Sequence, residues 1–274
     1  MSRLGPLFKK LNQEGRRAVI PYLVAGDPNE ALTVPLMHAL VDAGADIIEV
    51  GVPFSDPMSE GPTIQKAHER ALEGGTSLKS TLALVEDFRR ANTTTPLVLM
   101  GYANPLERQG YAYVADACAD AGIDGLITVD LPPEEVAAMN TELQRRELDN
   151  IFLISPTTSD ERVGTITQQA SGFIYYVALK GVTGAGNLDT AAVEAHLAII
   201  RAHSDLPVAV GFGIKDAETA ATLAGCADAV VVGSAMVDCI AAEYASESDP
   251  AAAIETAHSL ISTIRTGVNL ATSK

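Results

Sequence analysis

One pattern recurs three times along the chain and restricts the fold more than any other feature. A helix-like stretch ends in Ala-Gly, and an Asp shortly afterwards opens a run of aliphatic residues. The copies are Val41-Asp42-Ala43-Gly44-Ala45-Asp46-Ile47-Ile48, Asp120-Ala121-Gly122-Ile123-Asp124-Gly125-Leu126-Ile127 and Leu223-Ala224-Gly225-Cys226-Ala227-Asp228-Ala229-Val230-Val231-Val232. Glycine closes a helix by taking a left-handed conformation that other residues resist, and an unbroken aliphatic run suits a strand buried on both faces. Five further aliphatic runs, at 19–24, 96–101, 151–154, 173–177 and 207–211, bring the expected strands to eight. Amphipathic stretches rich in Ala and Leu, such as 31–43, 77–90, 134–146 and 190–203, lie between them. Strands alternating with helices dictate parallel pairing through right-handed crossovers. Eight such units in about 250 residues favour a closed (β/α)8 TIM barrel over an open doubly wound sheet. No Gly- or Ser-rich linker divides the chain. Residues 1–274 therefore read as a single barrel domain with an extra N-terminal helix, and 246–249 merely separates two C-terminal helices.

Composition narrows the function. Nineteen basic against 35 acidic residues leave a net charge of −16, which argues against nucleic acid or an anionic membrane as a partner. A phosphorylated small molecule stays open, because backbone N–H groups hold phosphate without a cationic field. Residues 1–15 contain no apolar segment of the secretory type, and no apolar run reaches the length of a membrane span. The three cysteines, Cys118, Cys226 and Cys239, are widely spaced and form no metal or redox motif. A soluble protein of the reducing cytoplasm is expected.

Chemistry in such a barrel belongs at the C-terminal ends of the strands and in the loops that follow. Glu49 stands inside Ile47-Ile48-Glu49-Val50-Gly51-Val52, where a carboxylate is costly unless paired or used. Burial raises a carboxyl pKa, which suits a general acid/base near neutral pH; the alternative is a carboxylate satisfied by a buried Arg or by backbone donors. Eleven residues on, Glu60 ends a proline-bracketed loop, 53–62, and precedes a helix expected over 63–72 with Pro62 at its first position. By itself Glu60 reads equally as a helix-start carboxylate; beside Glu49 at one barrel mouth it becomes a second acid/base. Asp56 in that loop reads as an exposed turn-former.

Three glycine clusters follow the later strands: Gly181-Val182-Thr183-Gly184-Ala185-Gly186, Gly211-Phe212-Gly213 and Gly233-Ser234. Glycine lets backbone amides approach an anion, and a short helix starting at Gly233-Ser234 would aim its N-terminus inward. That is where phosphate-binding barrels hold phosphate. The five histidines, at 38, 68, 196, 203 and 258, all fall in helical patterns without metal-ligand spacing and read as solvated or core residues. No nucleophile elbow supports serine catalysis. Of the seven lysines, Lys180 alone lies just past an expected strand and is the natural Schiff-base candidate.

These residues also carry a resemblance. The stretch from Ile48 through Glu49, Pro53-Phe54-Ser55-Asp56-Pro57 and Gly61-Pro62-Thr63-Ile64-Gln65 resembles the signature of the tryptophan synthase alpha subunit family. So do Tyr102-Ala103-Asn104-Pro105, Asp130-Leu131-Pro132-Pro133, Ser155-Pro156-Thr157-Thr158, Gly181-Val182-Thr183-Gly184 and Val232-Gly233-Ser234-Ala235, in the family's order over nearly the whole chain. The resemblance implies a retro-aldol cleavage of indole-3-glycerol phosphate to indole and glyceraldehyde 3-phosphate. It implies Glu49 as the acid/base and Glu60 as the carboxylate that accepts the indole N–H. Tyr22, Met100, Tyr102, Ile127 and Leu153 would line the indole pocket. Tyr175, Thr183, Gly184, Gly213, Gly233 and Ser234 would hold the glycerol-phosphate end. Asp56, Pro57, Asn104 and Pro132 would face a beta subunit in an α2β2 complex. Pyridoxal phosphate would belong to that partner, and this chain would need neither cofactor nor metal.

Three departures from the family pattern carry expectations of their own. Glu60 stands where Asp is usual, and its extra methylene shifts the carboxylate by on the order of an ångström, so the loop must compensate. Leu179-Lys180 replaces a pair that often contains Arg, which bears on loop closure. Tyr22 replaces a common Phe, and its hydroxyl needs a partner if buried. Two rival readings stay open: a Schiff-base aldolase using Lys180, and a regulatory subunit that binds the phosphate ligand and activates a partner without chemistry.

Overall fold

The aliphatic runs form eight parallel strands: β1 (Ala18–Val24), β2 (Ile48–Gly51), β3 (Leu97–Gly101), β4 (Gly125–Thr128), β5 (Asp149–Ile154), β6 (Ile174–Val177), β7 (Val208–Gly211) and β8 (Ala229–Val232). They close in sequence order, β8 pairing back onto β1 through Ala18↔Ala229 to Pro21↔Val232. The protein is described by a computed structural model that covers residues 2–178, 189–211, 213–247 and 249–272. Helix α1 (Leu4–Gln13) precedes the barrel, as expected. The crossovers are α2 (Glu30–Asp42), α3 (Pro62–Glu73) with α4 (Leu78–Ala91), α5 (Ala103–Gln109) with α6 (Tyr111–Ala121), α7 (Ala137–Arg145), α8 (Asp160–Gln169), α9 (Thr190–His203) and α10 (Ala217–Ala224). Helices α11 (Ser234–Glu247) and α12 (Pro250–Thr272) complete the ring. Among the described residues no helix is long and apolar enough to cross a membrane.

The Asp of the repeated pattern has a local cause. At the start of β2, β4 and β8, Asp46, Asp124 and Asp228 each accept an amide N–H from the start of the preceding strand, respectively Val19 (3.0 Å), Leu97 (2.9 Å) and Val208 (2.9 Å). Ser171 does the same ahead of β6, its Oγ accepting the Asn150 N–H at 2.9 Å. Arginines neutralise the three carboxylates: Arg16 and Arg265 at Asp46, Arg3 and Arg89 at Asp124, and Arg201 at Asp228. These contacts lock strand register at the end of the barrel opposite the strand C-termini, so they serve stability.

Two of the three pattern glycines close their helices with positive φ, Gly44 at 102° and Gly122 at 93°. Gly225 does not: it keeps a right-handed φ of −67°, because its N–H turns back to Ala221 O and Thr222 O and the chain leaves by a further right-handed turn. Likewise α7 starts at Ala137 rather than near 134, since Pro132 and the Glu135 N–H first form a turn (3.0 Å). Helix α11 spans 14 residues and is not the short helix expected at Gly233-Ser234.

Burial divides into layers. A large apolar shell lies between sheet and helices. Inside the barrel, Ile20, Ile47, Val98, Ile127, Ile151, Ala209 and Val231 pack together, and α1 plugs that end with Leu4, Phe8 and Leu11. The Phe8 and Phe173 rings meet at 5.8 Å. Among the described residues the interior is therefore packed at the α1 end, below the strand C-termini.

Candidate active site

Strand register decides which side chains share the barrel mouth. Tyr22 pairs with Glu49, Gly51 with Met100, Met100 with Ile127, and Leu153 with Tyr175, so these residues project from neighbouring strands to the same inner side. Glu49 is 1% exposed, and neither carboxylate oxygen has a hydrogen-bond partner among the described residues. Among the described residues neither a buried Arg nor a backbone donor meets this carboxylate. Burial first, and the charge of Glu60 second, push its pKa up to about 8. A buried polar group left without a partner is expensive, and it is the expected signature of an atom awaiting a ligand.

Glu60 is half-buried at the end of the loop after β2, with its carboxyl raised by burial to about 7. Its backbone is held on both sides: the Glu60 N–H donates to Pro57 O (3.0 Å), and Gln65 Nε2 donates to Glu60 O (2.8 Å). Tyr102 braces the same loop. Its ring stacks on Phe54 at 5.2 Å, and its hydroxyl accepts the Ser59 N–H at 3.3 Å. Burial and the Glu60 charge raise the Tyr102 phenol to about 12. Asp130 accepts the Ala103 N–H at 2.6 Å and so fixes the start of α5 beside it.

Tyr22 on β1 and Tyr175 on β6 are raised well above the ordinary phenol value, first by burial and then by the charges of the two acids, Glu60 foremost for Tyr22 and Glu49 for Tyr175. Each lies over a glycine that ends a strand. A Cβ on Gly51 would sit 2.3 Å from Tyr22 Oη, and one on Gly211 would sit 2.6 Å from Tyr175 Oη. The Tyr22 hydroxyl has its expected partner, His68 Nε2 at 3.4 Å.

On the other side of the mouth, Gly213 takes a φ of 61°, and no atom of the described residues lies within 4 Å of where a Cβ on Gly213 or Gly233 would stand. Glycine there leaves the backbone open rather than tightly packed. The amides of Met236 and Val237 turn back onto Gly233 O (2.9 and 3.2 Å), which leaves those of Ser234 and Ala235 at the exposed N-terminus of α11. Such a terminus favours an anion. Thr183 and Gly184, with Lys180 and the rest of that glycine cluster, lie outside the described residues.

Asp56 and Asn104 are exposed, Pro57 and Pro132 half-buried; Asp56, Pro57 and Pro132 sit in the loops after β2 and β4 and Asn104 in the first turn of α5 after β3, on one arc of the mouth. Met58 on that arc is 69% exposed. A cavity of about 390 Å³ between the β4 and β5 loops, lined by Ser59, Val129, Pro132, Leu153 and Val177, opens next to it. A larger cleft of about 540 Å³ lies beneath α1, at the stability end, and shares no residue with the carboxylate site. Among the described residues no group of His, Cys, Asp and Glu has metal-binding geometry.

In the sequence His68 is one helical histidine among five, yet in the fold it is buried and joins Tyr22 to the Phe54 amide. The available signal was its place within the apolar stripe of α3, with Ile64, Ala67 and Ala71 at helical spacing. Cys118 is buried with its thiol raised to about 12, which suits a core residue.

A profile described as tryptophan synthase alpha chain matches residues 8–265. The chain is 54% identical over 271 residues to the tryptophan synthase alpha chain of Thiobacillus denitrificans, covering 99% of this chain and 97% of that one. It is 57% identical over 242 residues to that of Methylococcus capsulatus, covering 88% and 91%. Among solved structures, tryptophan synthase subunit alpha from Legionella pneumophila superposes with a TM-score of 0.91 at 42% identity, covering 98% of this chain and 99% of that one. A ligand-free tryptophan synthase structure from M. tuberculosis superposes with a TM-score of 0.86 at 37% identity, covering 98% and 99%.

Proposed function

Because the chain belongs to the tryptophan synthase alpha chain family, which catalyses the alpha reaction of tryptophan biosynthesis, we propose that it cleaves indole-3-glycerol phosphate to indole and glyceraldehyde 3-phosphate. The observation that carries this reading is Glu49, buried at the mouth with neither oxygen partnered among the described residues and its pKa near 8. At neutral pH it is held as the acid, ready to donate a proton.

The steps balance on two carboxyl groups. Glu49 protonates the indole carbon that bears the side chain, while the Glu60 carboxylate accepts the ring N–H, giving the indolenine tautomer. Glu49, now ionised, takes the proton of the side-chain hydroxyl. The carbon–carbon bond breaks, its electrons return to the ring, and the ring nitrogen recovers its proton from Glu60. The aldehyde leaves with both acids back in their starting states. A positioned acid or base typically contributes about 10²–10⁴-fold, so two of them supply a large share of the rate without metal. Their raised pKa values, about 8 and about 7, favour an acid and a base at the same pH.

Tyr22, Met100, Tyr102, Ile127 and Leu153 are assigned to the indole pocket, which their inward placement around Glu49 supports. Tyr175, Gly213, Gly233 and Ser234, with Thr183 and Gly184, are assigned to the glycerol phosphate. Alpha chains of this family pair with a beta chain, and the arc of Asp56, Pro57, Asn104 and Pro132 is assigned to that contact within an α2β2 complex. The exposed Met58 on the arc supports an apolar contact there. Pyridoxal phosphate belongs to the beta partner in this reading, and residues 1–274 work as one cytoplasmic domain that needs no cofactor of its own.

The test is indole release from indole-3-glycerol phosphate by wild type and Glu49→Gln, each with and without a beta chain. Slow turnover alone, a large rise with the partner and collapse in Glu49→Gln are expected. Tight substrate binding with no turnover in any mixture would make the chain a binding subunit instead.

A further inference from the structure

The ring of His68 has contacts at both nitrogens. Nδ1 accepts the N–H of Phe54 at 3.0 Å, so it carries no hydrogen, and in the neutral ring the hydrogen resides on Nε2. Nε2 faces Tyr22 Oη at 3.4 Å, which makes the imidazole the donor and the phenol oxygen the acceptor. Burial keeps the ring neutral, pushing its pKa down to about 4. The two partners belong to different parts of the site. Phe54 lies in the loop that ends at Glu60, while Tyr22 forms the β1 wall beside Glu49. Helix α3 itself is anchored to the neighbouring loop, where Arg70 clamps Asp27 with two hydrogen bonds of 2.6 and 3.0 Å.

We propose that His68 is a positioning residue that sets the Glu60 loop and the Tyr22 wall as a unit, its Nδ1 holding the loop at Phe54 and its Nε2–H holding the phenol. Its kinetic meaning rests on the lyase reading above. The hydroxyl of Tyr22 then has a purpose that a plain pocket wall lacks: it is the acceptor through which β1 is tied to the loop bearing the second carboxylate. A shift of about an ångström at a reacting group costs on the order of a hundredfold, so the tie acts on rate and not only on stability.

The two halves of the bridge separate by substitution. His68→Gln places an amide donor near the Nε2 position but abandons Phe54, whereas His68→Asn places an oxygen near Nδ1 but cannot reach Tyr22. With the beta partner present, His68→Gln should lower kcat about tenfold with little change in KM, because Glu60 is released. His68→Asn should raise KM about three- to tenfold and largely keep kcat, because only the pocket wall is loosened. In a Tyr22→Phe background, His68→Asn should add less than about twofold, since its contact is already gone. Independently of activity, nitrogen-15 NMR of the free wild-type chain should find His68 neutral with its hydrogen on Nε2, and Tyr22→Phe should shift that nitrogen.

A hydrogen on Nδ1, a charged ring, equal kcat losses in both His68 variants, or additivity with Tyr22→Phe would each overturn the proposal. Absence of indole release by wild type would instead count against the lyase reading, and the NMR signature would still decide the bridge. If either His68 variant does not fold, wild type and Tyr22→Phe carry that decision.

Discussion

Glu49→Gln should make the protein more stable, by an amount that depends on pH. In the unfolded chain this carboxyl titrates at its ordinary 4.5, whereas in the barrel it titrates near 8. A folded pKa above the unfolded one means that the stability is fully present below about pH 4.5 and is lost as pH rises toward 8, because the unfolded chain releases a proton that the native state retains. At about 1.4 kcal/mol per pH unit, the loss is near zero at pH 4.5, about 3 kcal/mol at pH 7, and approaches 5 kcal/mol above pH 8. Gln has the same shape and also leaves its polar atoms unpaired, so the cost common to acid and amide cancels. For a domain of this size about 1 kcal/mol moves the melting temperature by roughly 2–4 °C. Glu49→Gln should therefore melt about 6–12 °C above wild type at pH 7, and together with it near pH 4.5. Thermal unfolding followed by circular dichroism at several pH values between 4.5 and 8.5 measures the gap. A gap that stays constant, or that narrows as pH rises, refutes the claim that this carboxyl is buried without a partner.

Three further outcomes follow from particular contacts. The charge of Glu60 helps to raise Glu49, so Glu60→Gln should lower the Glu49 pKa from about 8, read by carbon-13 NMR titration of the Glu49 carboxyl because the variant also lacks the second acid/base; a pKa that stays in place removes the coupling. Asp124 is buried and accepts from Arg3, Arg89 and the Leu97 N–H, at the far end of the barrel from the site. Asp124→Ala should cost about 3–5 kcal/mol, read as a lower urea midpoint with an unchanged slope, while activity per folded molecule is kept. Gly211→Ala brings a carbon to 2.6 Å from Tyr175 Oη and 2.8 Å from its Cε2, so the ring must move. Substrate affinity should fall along with about 1–3 kcal/mol of stability, and Tyr175→Phe should not rescue it, because the ring-carbon contact remains. A binding isotherm beside a melting curve checks both parts.

Much of the candidate site is legible in the chain because it breaks local rules. A carboxylate inside an aliphatic strand violates burial preference, and a loop bracketed by Pro53 and Pro62 departs from ordinary connectors. Both stand where the barrel opens. His68 broke no such rule, since a single histidine in a helix is ordinary; only packing turned it into a bridge between Phe54 and Tyr22. Gly225 carried the same local pattern as Gly44 and Gly122 but took the other backbone hand, because its helix ends in bifurcated turns toward Ala221 and Thr222.

The order of strands and helices and their closure into a barrel were determined by the sequence alone. They follow from hydrophobic period, glycine placement and the alternation of neighbouring elements, all of which are local properties. The roles of the pattern's aspartates, the partner of Tyr22 and the orphaned oxygens of Glu49 were decided only by tertiary structure. Each depends on atoms many residues away, such as Val19 for Asp46, Leu97 for Asp124 and His68 for Tyr22. Whether a buried polar atom finds a partner is a question of three-dimensional geometry, and that answer separates a carboxylate satisfied on every side, such as Asp124, from one with no partner among the described residues, such as Glu49.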